Sequence, residues 1–599
     1  MLYTTDMFSA WYLRSAAYIR TQLHAIVKND ARNVIFVAII IGIVSGLAAV
    51  VLKSTVHFIQ SLLISRKESD YGYWLFLLYP LAGILLTAIY IRFFHGGVFD
   101  KGVGNILFAI FKKASKIERH KTYSHLLTSG VTVGFGGSVG LEAPIVITGA
   151  AIGSNVGNYF RLSYKQKTLM LACGAAAGIA AIFNSPVAGV LFAVEALLFG
   201  VTVSSFVPLL ISAATAAVVS KILYSGQPFH LITSGWEVQA IPFYILLGLF
   251  TGLISLYMTR TTLYLEEKFS GIKSYWRKAI IGGLSLGALI FIFPPLYGEG
   301  YDSINFLFSE KAVLLFDNSL FHQWKYVPAV ILIYLAGIIA VKILATSLTL
   351  ASGGNGGIFA PSLFTGAVTG YFFAYAVNLT GLVELNVVNF TAVAMAGILS
   401  GVIQAPLTAI FLIAEITGGY ALIVPLMIVS AISFFFIRYF EKYSIYTKKL
   451  AEAGVIDPEN KEVTAVSNIN IEEIIERNFT PVSPDASLGE LVEVIAHTTR
   501  NIFPVVNESG KLMGIVYLDD IREIMFNQDL YSTLFVTDMM SRSLVTWDIS
   551  EPVQNAIHKF EKHNVWNIPV TREGKYDGFI SKSTLFSHYR KQMSEITKM

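Results

Sequence analysis

Long apolar runs constrain this chain more than any other feature. They lie near residues 33–52, 75–92, 204–220, 240–258, 277–294, 326–345, 388–414 and 421–437. Each approaches the roughly 17–25 residues with which an α-helix crosses about 30 Å of hydrocarbon. Lipid offers the backbone no hydrogen-bond partner, so the runs read as membrane-spanning helices. Charge agrees, because only 14% of residues are charged, against about 25% in soluble domains. From about residue 441 onward charged residues recur every few positions, and the final quarter reads as a soluble tail.

Composition also excludes several functions. The net charge of +4 sums unlike parts, and no Lys/Arg cluster with interleaved aromatics suggests nucleic-acid binding. Cys173, the single cysteine, can form no intrachain disulfide and reads as a small buried residue. No metal site is expected. The membrane part contains no HExxH, GxSxG or histidine–carboxylate cluster, so an enzyme is not expected. Positions 1–30 hold Arg14, Arg20 and Lys28 and lack the apolar core of a secretory signal.

Between the apolar runs lie two segments too glycine-rich to be simple spans, 126–160 and 345–374. Glycine and proline interrupt helices, and backbone freed at membrane depth must be buried in protein or line a cavity. Both segments read as broken or re-entrant helices. They also match one another. GGSVGLEAPIVITGAAIG (136–153) aligns without a gap to GGNGGIFAPSLFTGAVTG (353–370), an offset of 217 residues. NSPVAGVLFAVE (184–195) aligns to QAPLTAIFLIAE (404–415), an offset of 220. The membrane part therefore reads as two homologous halves, about 33–222 and 240–440. Interrupted segments at matching positions of two halves point to a transport site near the midplane. Glu142 is the only formally charged residue in its segment, and an ionisable group there is a functional candidate by default. Arg438, Lys442, Lys448 and Lys449 follow the last run, and Arg14, Arg20, Lys28 and Arg32 precede the first. By the positive-inside rule both termini are expected in the cytoplasm of a cell (inner or plasma) membrane.

The tail repeats as well. Residues 476–525 and 539–590 each read as a short strand, an amphipathic helix, a strand (NIFPVV or NIPV), a turn at Glu508-Ser509-Gly510 or Glu573-Gly574, a strand and a final helix. This pattern resembles a tandem pair of CBS modules, a family that often senses adenine nucleotides. The resemblance places ribose- or phosphate-facing polar residues at Asp519, Ser581 and Ser583. A nucleotide sensor and a purely structural, dimer-stabilising pair remain open alternatives.

GLEAP at 140–144, GGIFAP at 356–361, the two halves and the CBS pair together resemble the CLC family of voltage-gated-type chloride channels and chloride/proton exchangers. The fold implied is an all-α polytopic membrane protein with two inverted halves, followed by α/β CBS domains. The domain boundaries expected are a 1–32 N-terminal segment, a 33–440 pore domain, a 441–470 linker, and CBS modules at 471–530 and 535–595. The resemblance implies a homodimer with a pore in each subunit, chloride or a similar small anion as cargo, and no cofactor beyond that nucleotide. It makes Glu142 the gating glutamate and proton carrier. Gly140, Ile358 and Phe359 fall on the anion-contacting loops, and Tyr446 falls on the tyrosine that donates to the anion, with Tyr443 the rival.

Two departures stand out. The family's GSGIP loop falls on DKGVG (100–104), placing Lys101 and Gly102 at the anion site, with lysine for the usual serine and Gly104 for the usual proline. Lys101 either binds the anion or reaches to the surface and enriches the entrance in anions. The second departure is Ala196, which follows Glu195 where exchangers carry an intracellular proton-relaying glutamate. Alanine carries no proton, so a channel is the favoured reading, with chloride/proton exchange by another internal path as the alternative.

Overall fold

The computed structural model describes residues 31–64, 72–97, 99, 101–198, 203–224, 226, 233–455, 465–466, 469–542 and 545–597. The basic N-terminal residues Arg14, Arg20 and Lys28, most of the expected 1–32 segment, and part of the 441–470 linker lie outside them. The chain divides into a membrane unit ending at Leu450 and a tail unit beginning at Ala451.

Among the described residues of the membrane unit, eight helices are long and apolar enough to cross a bilayer. The apolar runs correspond to most of them, with two corrections. Tyr164–Phe183 is a further membrane-length helix that the runs do not include. It is rich in alanine and glycine rather than in large apolar residues, and most of it is buried inside the protein rather than facing lipid. The 388–414 run is not one span. It is divided into Val387–Ile403 and Pro406–Ile416. Gln404 adopts a left-handed backbone at φ 59°, and Pro406 opens the next helix, so the chain reverses within an uninterrupted apolar stretch. Asn184 does the same at φ 54° between Tyr164–Phe183 and Pro186–Ala196.

The two glycine-rich segments are broken helices. Ser124–Gly134 and Glu142–Tyr159 flank one break, Pro328–Ala351 and Phe359–Leu379 the other. Residues equated by the internal repeat bond to each other. Gly140 and Gly357 exchange both backbone hydrogen bonds as an antiparallel bridge, each 2.8 Å. Ser138 N–H donates to Thr349 Oγ1 at 3.3 Å, and Asn355 N–H donates to Thr132 Oγ1 at 3.1 Å. Such i-to-j and j-to-i reciprocity is what a two-fold axis generates, so the halves are related by a local two-fold axis that passes beside Glu142. Close helix approach needs missing side chains. A Cβ on Gly149 would overlap the Gly174 carbonyl, and one on Gly174 would overlap that of Gly149.

In the tail, the order of the larger sheet is Ile475–Glu476, Lys575–Ser581, Asn567–Arg572 and Trp547–Asp548. Ile502–Val506 and Leu512–Tyr517 form a second, antiparallel pair. The turns read from sequence are tight hairpins, with Glu573 and Gly574 at φ 53° and 79° and Gly510 at φ 82°. The first short strand is not in the sheet of its own repeat. Ile475 and Glu476 pair with Ile580 and Phe579 of the second repeat, while Ser541, at the start of the second repeat, bridges to Ile515 of the first. Leu488–Ala496 starts with a capping box between Ser487 and Glu490.

Candidate functional site

The site grows from the two helix breaks. Glu142 opens the Glu142–Tyr159 helix, and Phe359 opens the Phe359–Leu379 helix of the other half. Unsatisfied N–H groups and the positive end of the helix dipole therefore meet from both halves, an arrangement that attracts anions without a full countercharge. Glu142 is 1% exposed. Its carboxylate faces its own N–H and that of Ala360. The Tyr301 hydroxyl donates to Oε1 at 2.6 Å, whereas Oε2 makes no close hydrogen bond. Gly140 makes this posture possible, because a Cβ there would overlap Glu142 Oε2 and lie 2.8 Å from Ala360 Cβ.

Two cavities approach Glu142. One, of about 430 Å³, is lined by Lys101, Gly102, Ala143, Gly356, Ile358 and Tyr446, among others. The other, of about 780 Å³, is lined by Lys53, His57, Leu141, Glu299 and Tyr301, among others. No lining residue is common to both, and the residues before and after Glu142 belong to different cavities. Glu142 thus stands in the partition between them. An ionised carboxylate there competes with a free anion for the N–H groups, and a protonated one loses that attraction.

The other sequence-derived residues fall as follows. Ile358 and Phe359 are buried at the second helix start, and the Phe359 ring packs against Phe183 and Phe192. Of the two tyrosines, Tyr446 lines the smaller cavity, while Tyr443 lies beneath the Lys442 ammonium, 5.0 Å from ring centre to Nζ. Lys101 points inward and donates to the Gly354 carbonyl at 2.8 Å, in the loop before Phe359. Glycine at 104 has a local cause, since a Cβ there would come within 2.6 Å of the Tyr446 carbonyl oxygen. In the tail, Asp519 is exposed and pairs with Arg522 at 2.5 Å. Ser581 Oγ donates to Thr584 Oγ1 at 2.9 Å and accepts from Thr584 N–H, and Ser583 lies beside it at 3.3 Å.

Glu195 has a structural task. Its carboxylate accepts from Leu407 N–H at 3.0 Å, Thr408 N–H at 2.7 Å and Thr408 Oγ1 at 2.6 Å, capping the Pro406–Ile416 helix. Glu415 reciprocates, accepting from Val187 and Ala188 N–H at 3.1 and 2.9 Å at the start of Pro186–Ala196. This explains the repeated proline-to-glutamate spacing. Ala196 ends the first of these helices and offers no ionisable group. Sequence reasoning missed Glu299, Tyr301 and Lys342. For Glu299 and Tyr301 the signal was present in YGEGYD (297–302), an acidic loop between glycines that matches no transport motif.

Residues 82–438 match the family described as "Voltage gated chloride channel", and residues 471–527 and 536–591 match the CBS domain. The chain is 29% identical to the chloride channel protein CLC-e of Arabidopsis thaliana, over 65% of this chain and 58% of that protein. It is 27% identical to the H(+)/Cl(-) exchange transporter ClcA of Vibrio cholerae, over 70% of this chain and 89% of the relative. The crystal structure of a eukaryotic CLC transporter shares the fold, with a TM-score of 0.60 at 19% identity, over 92% of this chain and 97% of that one. With the family match spanning more than half its length, the chain belongs to the voltage-gated chloride channel family, transporters of anions across membranes rather than enzymes, and carries a C-terminal pair of CBS domains.

Proposed function

We propose that this protein exchanges chloride for protons, with Glu142 serving alternately as an anion in the pathway and as the proton carrier. One observation carries the reading: the Glu142 carboxylate sits at two facing helix starts, in the partition between two separate cavities. A group so placed can exchange protons with either side only as it yields its place to an anion. Relatives named as H(+)/Cl(-) exchange transporters support this reading, and it replaces the channel reading drawn from Ala196. On the Tyr446 side, protons arrive through the 430 Å³ cavity rather than by a glutamate at 196. Gly140, Ile358 and Phe359 supply the inner walls of the anion pathway, and Lys101, Gly102 and Tyr446 its approach. The chain works as a homodimer in a cell membrane with both termini cytoplasmic, and the CBS pair, at about 471–530 and 535–595, either binds adenine nucleotide near Asp519, Ser581 and Ser583 or serves only to stabilise the dimer.

The test uses purified protein in liposomes under an outward chloride gradient. Exchange requires proton uptake in fixed proportion to chloride release, abolished by Glu142→Gln. Chloride release with no proton movement identifies a channel and returns Ala196 to the centre of the explanation.

A further inference from the structure

The larger cavity holds chemistry that anion transport alone does not use. Glu299 lies between Gly298 and Gly300, whose φ values of 63° and 88° are open to glycine with little strain. A side chain at 300 would also overlap the Phe364 ring. This turn directs Glu299 toward the site. Its carboxylate faces the Tyr301 hydroxyl and the N–H of Leu141, the residue that precedes Glu142. The same hydroxyl donates to Glu142 Oε1 at 2.6 Å. One phenolic oxygen thus stands between two carboxylates, and each carboxylate keeps one buried oxygen without a hydrogen bond, Oε2 of Glu142 and Oε1 of Glu299.

A tyrosine hydroxyl has a single hydrogen to give. While it donates to Glu142, a bond with Glu299 requires Glu299 to be the donor, and therefore protonated. Reversing both bonds reverses the roles. We propose that Tyr301 and Glu299 form a proton relay that loads and unloads Glu142 from the cavity lined by Leu141, a proposal that rests on the exchange reading above.

The step balances. The neutral Glu299 carboxyl passes its proton to the Tyr301 oxygen as the Tyr301 hydroxyl passes its own to Glu142 Oε1. The O–H bonds of Glu299 and Tyr301 break, new ones form on Tyr301 and Glu142, and no electron changes owner. The products are a neutral Glu142, free to leave the helix starts, and a Glu299 carboxylate, which regains a proton from the cavity it lines.

The surroundings suit a group that changes charge. Lys342 attracts Glu299 from the Pro328–Ala351 helix, its Nζ donating to the Gly298 carbonyl at 3.0 Å. Lys53 attracts it from Ala31–Ile64. Tyr224, just after the Val203–Leu223 helix, faces it, and His57 and Asp302 stand on the same cavity wall. Two lysines stabilise the carboxylate left after transfer, and Glu142 opposes double ionisation.

The experiment measures proton uptake per chloride released for wild type, Tyr301→Phe and Glu299→Gln in liposomes. Tyr301→Phe keeps the ring and removes only the hydroxyl. The relay predicts that both variants still release chloride while proton uptake per chloride falls about tenfold or more. A wild-type ratio in both variants overturns it, as does faster chloride release at an unchanged ratio, which would make Tyr301 a latch. Loss of both fluxes in both variants also overturns it, because the pair would then be structural. Coupled wild type with coupled variants refutes the relay alone, whereas an uncoupled wild type refutes the exchange reading beneath it.

Discussion

Replacing Glu195 with alanine removes all three hydrogen bonds that its carboxylate receives. The Leu407 and Thr408 N–H groups are the first donors of the Pro406–Ile416 helix and have no partner within it. Orphaning two such donors costs about 1–3 kcal/mol each, and losing the charge at the helix start adds a few tenths to about 1 kcal/mol. Thr408 Oγ1 can rotate toward another acceptor, so its lost bond contributes about 1 kcal/mol or less. The sum is about 2–8 kcal/mol. Glu415→Ala breaks two bonds rather than three, because Ala188 stands where the other half has Thr408. Its cost is smaller by about 1 kcal/mol. Equilibrium unfolding in mixed detergent, followed by intrinsic fluorescence, measures both variants. Glu195→Ala as stable as wild type, or more stable than Glu415→Ala, would refute reciprocal capping and reopen a transport role for Glu195.

Three further outcomes are expected. Gly140→Ala places a methyl group where Glu142 Oε2 lies, so the carboxylate is expelled, chloride release persists and proton coupling falls; unchanged coupling would contradict the contact. Lys101→Met removes a charge from the wall of the 430 Å³ cavity, on the order of 1 kcal/mol in a partly hydrated pore, and should weaken chloride binding by about fivefold in calorimetry; equal affinity would leave lysine only its bond to the Gly354 carbonyl. In the tail, hydrogen bonding to Arg477 and Arg572 holds the Asp577 carboxyl below its usual range. A depressed carboxyl stabilises the fold above its unfolded value and ceases to do so as pH falls through the folded one, near 4 and below. The melting temperature should therefore exceed that of Asp577→Asn at pH 7, and the gap should close as pH falls below the ordinary carboxylate range; a gap independent of pH would contradict the ion-pair account.

Much of this architecture was legible because the sequence repeats itself. The matches at offsets of 217 and 220 residues become hydrogen bonds between the matched residues, as at Gly140 and Gly357. Hydropathy failed where it carries no information about direction. It cannot show that Gln404 and Pro406 reverse the chain within an apolar stretch, although Asn184 and Pro186 in the other half mark the same turn. It also passed over Tyr164–Phe183, whose alanine and glycine pack against protein rather than lipid. Glu142 was visible as an isolated charge in a glycine-rich segment. Glu299 and Tyr301 were not, because a loop between spans is an ordinary place for both residues, and only the fold carries them to Glu142. The swapped strand at Ile475 was equally hidden, since a two-residue strand does not disclose which sheet receives it.

The most direct test of the central claim is the reversal potential of reconstituted protein with equal chloride on both sides and a pH difference imposed across the membrane. Coupled exchange through Glu142 predicts a reversal potential displaced from zero that follows the pH difference and returns to zero in Glu142→Gln. A wild-type reversal potential that stays at zero whatever the pH difference would contradict the account.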